Sequence, residues 1–140
     1  MIERILYPPI ISYLEECGYT TFREVPVGRW FPKRVDVIGV NSDLTRIVSV
    51  EVKVKDFRRA LNQTLFRLYF SDYVYAAFPK QYAEYVLRKY EESLEKEGIG
   101  LLAVDHSVEV LLPPRVSKLV IKSLKEHVLK VLREIGTKTF

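Results

Sequence analysis

The 140-residue chain reads as a single mixed α/β domain in which helices flank a central mixed sheet. Three observations predict this. Apolar residues recur at helical spacing in four segments, and alternate or run together in six shorter ones. Glycine, proline and Asn/Asp clusters separate those segments. The composition, 48% hydrophobic and 29% charged, is that of a chain with a packed core rather than a disordered one.

Taken in order, Ile5, Leu6, Ile10, Ile11, Leu14 and Cys17 keep a helical period up to Gly18, a natural stop. Pro8 and Pro9 either kink this helix or occupy the first turn of one starting near Tyr7. A strand follows over Thr21–Val27, then the cationic and aromatic loop GRWFPK, residues 28–33. Arg34–Val40 is a second strand and NSDL (41–44) is turn chemistry, so Arg46–Val54 returns antiparallel as the third.

Asp56 is placed to cap a helix reaching about Phe70, with Phe57, Leu61, Leu65 and Leu68 along one side. Tyr73–Phe78 is a short apolar run closed by Pro79, as expected of a buried central strand. Lys80–Glu97 is an amphipathic helix stopped by Gly98. Two short strands, Gly100–Val104 and Val108–Leu112, lead to a last helix over about 116–135. The apolar arc of that helix is wide enough for the sheet on one side and a second subunit on the other, so a homodimer is one expected partner.

The net charge of +4 and pI near 9.1 permit a polyanionic partner without requiring one. One cysteine, Cys17, makes neither a disulfide framework nor a thiolate metal site, and fits a reducing, cytoplasmic setting. No apolar run approaches the about 18 residues of a membrane span, and the N-terminus does not read as a signal peptide. His106 and His127 have no companions at metal-ligand spacing.

The chemistry is expected on the third strand. In VSVEVKVK (48–55) the valines point one way; Ser49, Glu51, Lys53 and Lys55 point to the other, solvent-facing side. Asp36 alternates with Val35 and Val37 on the second strand. If valine pairs with valine across the hairpin, Asp36 falls on the face of Glu51 and Lys53. Two carboxylates on neighbouring strands repel and raise each other's pKa. Mg²⁺, a hard cation preferring carboxylate and carbonyl oxygens, relieves that repulsion. The expected metal ligands are Asp36, Glu51 and the carbonyl of Val52, with Lys53 assisting an attacking water or steadying a phosphate oxygen.

Asp36, fourteen residues, then Glu51-Val-Lys53 resembles the PD-(D/E)xK motif of the restriction-endonuclease-like nucleases. Gln63 follows on the next helix, where many members carry a site-facing glutamine, and the element order from Tyr7 to Phe78 is similar to their αβββαβ core. ILYPPIISYLEECGY also resembles the leading helix of small prokaryotic members, Mrr-like and Holliday-junction-resolvase-like proteins among them. The similarity covers residues 1 to about 104; the last strand and helix are additions. Val35 stands where the motif's nominal proline would be. Many members also place an acid on the first helix. Glu3 lies a turn too early, Glu15 and Glu16 too late, and Glu24 on the next strand, so none is assigned.

The resemblance implies a DNA endonuclease using Mg²⁺, with Mn²⁺ as a substitute, leaving a 5′-phosphate and a 3′-hydroxyl. Asp36, Glu51, Lys53 and Gln63 would be its catalytic set, with repair, recombination or restriction as settings. Arg29, Lys33, Arg34, Lys55, Arg59 and Arg67 are the cations expected to meet DNA phosphates, duplex or branched. Trp30 and Phe31 either stack on bases or cover the core. The rival readings are a non-cleaving nucleic-acid-binding module and a partner-dependent subunit of the same fold.

Overall fold

The structure is a computed structural model and describes residues 2–28 and 33–138. A 3₁₀ turn, Glu3–Leu6, runs straight into helix α1, Tyr7–Glu16. Pro8 and Pro9 occupy its first turn, where their missing N–H groups cost nothing and their fixed φ suits the helix. The strands are β1 Thr20–Val25, β2 Val35–Val40, β3 Ile47–Val52, β4 Tyr73–Pro79, β5 Gly100–Val104 and β6 Val108–Leu112. Helices α2 (Phe57–Arg67) and α3 (Lys80–Glu97) link β3 to β4 and β4 to β5, and α4 (Lys122–Lys138) closes the chain.

All six strands form one mixed sheet whose spatial order is the chain order. β3–β4 and β4–β5 are parallel, joined through α2 and α3; the other pairs are antiparallel. The β2–β3 turn is built by Asn41, whose Oδ1 accepts the N–H groups of Thr45 and Arg46.

Helix α1 and the 3₁₀ turn before it cover one face, burying Leu6, Tyr7, Ile10 and Leu14 against Val37, Val48, Val50, Val52 and Tyr75. The other face carries α2 and α3 over Val74, Ala76, Phe78 and Leu101, and α4 over Ile38, Val40 and Ile47. Every residue of β3 is therefore buried, including those on the face expected to meet solvent. The alternation is genuine, but a central strand between two helical layers has no wet side. Ser49 is satisfied by Ser71, Oγ to Oγ at 2.6 Å, beneath α2.

Two further expectations are corrected. Asp56 has φ 69° and makes no side-chain cap; the first turn of α2 is held instead by the Tyr82 hydroxyl, which accepts the Phe57 N–H at 3.1 Å. The last helix begins at Lys122 rather than near 116. Tertiary bonds claim the preceding backbone: Ser117 N–H donates to Asp72 O, Ser117 Oγ to Leu68 O and Ile121 N–H to Tyr69 O. Val116 and Leu119, counted in the wide apolar arc of that helix, lie outside it and are exposed.

Candidate functional site

The β2–β3 ladder runs from Val40↔Ile47 to Val37↔Val50 and stops. One step on, the Val52 N–H donates to Asp36 Oδ2 at 2.7 Å, so a carboxylate replaces a ladder carbonyl. Side-chain alternation breaks at the same point, with Val35 in the α4-side core and Val37 in the α1-side core. The expectation that both valines share a face is therefore wrong. Asp36 sits at the parting of the two strands and touches both layers. Its Oδ1 accepts the Tyr7 hydroxyl at 3.2 Å from α1, and its charge acts on Glu51 on the opposite side.

Glu51 is 3% exposed, in the layer under α2. Its Oε1 accepts Arg67 Nε at 2.8 Å, and Arg67 is itself only 2% exposed. The remaining reach of the guanidinium goes to backbone: Nη2 lies 3.3 Å from Arg34 O and 3.5 Å from Lys33 O. Burial first, and repulsion from Asp36 second, push the Glu51 carboxyl from its usual 4.5 up to about 7, even though Arg67 pulls it down. Burial and the Asp36 charge likewise push the Tyr7 hydroxyl up, so it stays a proton donor to Asp36.

Lys53, one residue past β3, does not pair with Glu51. Its Nζ lies 3.7 Å from Glu3 Oε1. The 3₁₀ turn ahead of α1 brings Glu3 to this end of the sheet, so the acid read as a turn too early reaches the expected site. The signal was the proline pair: prolines in the first turn put the start of α1 at Tyr7 and leave residues 3–6 free to wind separately. Gln63, on α2, has a buried Oε1 with no hydrogen-bond partner. Arg4 and Glu24, paired at 2.8 Å, flank the α1 side.

The expected phosphate-binding cations divide. Lys33, Arg34, Lys55 and Arg59 are exposed. Arg67 is not: the fourfold spacing that placed it beside Arg59 and Gln63 turns it into the core, where it serves Glu51. Arg29, Trp30 and Phe31 lie outside the described residues.

Among the described residues no group of three or more His, Cys, Asp or Glu side chains is gathered to hold a metal ion. Asp36 and Glu51, with the Val52 carbonyl, are the oxygen donors expected to hold a cation, and the first two come together here. Their chemistry fits a hard divalent cation: both are carboxylates, and burial and the Asp36 charge raise the Glu51 carboxyl even with Arg67 in place.

The protein is thus an α/β domain with a six-stranded mixed sheet, helices on both faces and a carboxylate pair where β2 and β3 part. A protein of unknown function from Silicibacter pomeroyi shares this fold, with a TM-score of 0.71 at 20% identity over 96% of this chain and 86% of that one. No family model matches the chain, and no curated protein does. Among the described residues no helix is long and apolar enough to cross a membrane.

Proposed function

We propose that the chain is a metal-dependent DNA nuclease with a restriction-endonuclease-like core. One observation carries the reading: a part-buried Asp36 and a buried Glu51 come together where the ladder opens, and burial and the Asp36 charge raise the Glu51 carboxyl even with Arg67 beside it. Asp36, Glu51 and the Val52 carbonyl would hold the cation. When bound, a divalent cation supplies Lewis-acid polarisation of a phosphodiester and stabilises the charge that develops on it.

The chain's own groups do the rest. Tyr7 and the Val52 N–H fix the Asp36 carboxylate in one orientation. Lys53, partly exposed just past β3, would steady a phosphate oxygen or the attacking water. Glu3, held against Lys53, would take a proton from that water. The free Oε1 of Gln63 is an acceptor able to orient a water at the α2 side. Exposed Lys33, Arg34, Lys55 and Arg59 would hold backbone phosphates.

The test is incubation with linear, supercoiled and four-way-junction DNA, in Mg²⁺ or Mn²⁺ and then in chelator. Asp36→Asn and Lys53→Ala should each lower cleavage by about 10²-fold or more while leaving the fold intact. Cleavage retained in both variants, or in chelator, refutes the mechanism. A second reading, a binding module that does not cut, is favoured by the Glu51–Arg67 pair itself, which gives Glu51 a partner without any cation. Metal-independent DNA binding with no cleavage would select it.

A further inference from the structure

Arg67 is the charged group that the catalytic reading leaves unused. It projects from the last turn of α2 into a space almost closed to solvent, and its contacts span three places: Glu51 on β3 and the carbonyls of Lys33 and Arg34 just before β2. A guanidinium has no neutral fallback, so its donors must be met wherever it is buried. Buried ion pairs are not especially strong fasteners either, since apolar side chains of similar volume often hold as well. A pair this enclosed, on a carboxylate that the proposed reaction needs, points to a role in that reaction.

We propose that Arg67 is an internal counter-ion that competes with a divalent cation for Glu51, and that its grip on the Lys33 and Arg34 carbonyls couples cation loading to the segment leading into β2. The inference rests on the metal-dependent reading of the site. Glu51 has one negative charge to share. A cation on its other oxygen must either displace the guanidinium or bind against its repulsion, which even at the dielectric of bulk water lowers affinity by about tenfold.

Lys33 and Arg34 present exposed side chains from the backbone that Arg67 holds. A polyanion drawing on those side chains pulls at the same backbone. Loosening it releases the guanidinium and frees Glu51, so nucleic acid and cation would each favour binding of the other, as linkage requires.

Mn²⁺ binding, measured calorimetrically on the full chain at pH 8, tests this. Arg67→Met should bind Mn²⁺ about tenfold more tightly than the native protein, and Glu51→Gln should lose binding. A phosphorothioate duplex that resists cleavage should tighten Mn²⁺ binding by the native protein and have no such effect on Arg67→Met. A folded Arg67→Met protein that binds Mn²⁺ no better than native overturns the competition; an equal duplex effect in both overturns the coupling. If Arg67→Met does not fold, Arg67→Gln, which removes the charge but keeps an amide donor, should still bind more tightly than native, and equal or weaker binding refutes the proposal. If no protein binds Mn²⁺ with or without duplex, the metal-dependent reading falls with it.

Discussion

Replacing Glu51 by glutamine should change how stability depends on pH more than it changes stability itself. Glu51 is buried beside Asp36, and its carboxyl is pushed from 4.5 up to about 7. The native state therefore keeps this proton to a higher pH than the unfolded chain does. The stability it contributes is fully present below about pH 4.5 and is lost as pH rises through about 7. At about 1.4 kcal/mol per pH unit, a rise of this size is worth roughly 3 kcal/mol, a large share of a small domain's margin. In the Glu51→Gln protein the amide oxygen would remain an acceptor for Arg67 Nε, and the side chain cannot titrate. Urea denaturation in chelator at pH 5, 6, 7 and 8 reads the effect. The native protein should weaken across the series, and the Glu51→Gln protein should weaken less by the Glu51 share. Every other side chain is common to both proteins, so the difference isolates Glu51. Identical pH profiles would refute the assignment of a raised carboxyl at this position.

Two further substitutions probe the frame around the site. Asp72 Oδ2 accepts the Ile47 N–H at 2.7 Å and its Oδ1 meets Lys125 Nζ at 2.9 Å, so one carboxylate ties the start of β3 to α4. Asp72→Ala leaves that N–H without its acceptor and should cost about 1–3 kcal/mol in chemical denaturation; an effect near zero would show that water replaces it. At Gly100 a Cβ would stand 2.7 Å from Tyr75 Cδ1 and 2.9 Å from the Pro114 nitrogen. Gly100→Ala should therefore lower stability by about 1–3 kcal/mol through overpacking, read as a drop in Tm, and an unchanged Tm would show that the Pro114 segment yields freely.

Much of this architecture was legible because it follows from period and punctuation. The six strands and the first three helices fall where alternation, helical spacing and glycine stops put them, and Asp36 comes near Glu51 through the register that the 41–44 turn imposes on one hairpin. What was not legible depends on the third dimension. The alternation of VSVEVKVK distinguishes two faces but not what covers them, and α2 lies over the face that looked polar. Arg67 reads as a surface cation on spacing alone; only the packing of α2 against β3 turns it inward. Glu3 could not be assigned because its reach depends on a 3₁₀ turn before α1. The start of α4 was missed because Ser117 and Ile121 commit their backbone groups to the end of α2 and the segment after it, a tertiary preference with no local signature.

The strand order β1 through β6 also bears on how the chain reaches its native state. Each strand is laid beside the one synthesised just before it, so every addition extends an existing edge and closes only the connection between sequence neighbours. The entropic cost of each closure is then set by a single turn or a single helical crossover, never by a long excursion across the sheet. The carboxylate pair is in place once β3 has joined β2, and α2 delivers Arg67 immediately afterwards. Glu51 and its countercharge thus come from consecutive elements of the chain, so pairing them closes only the short connection from β3 to α2.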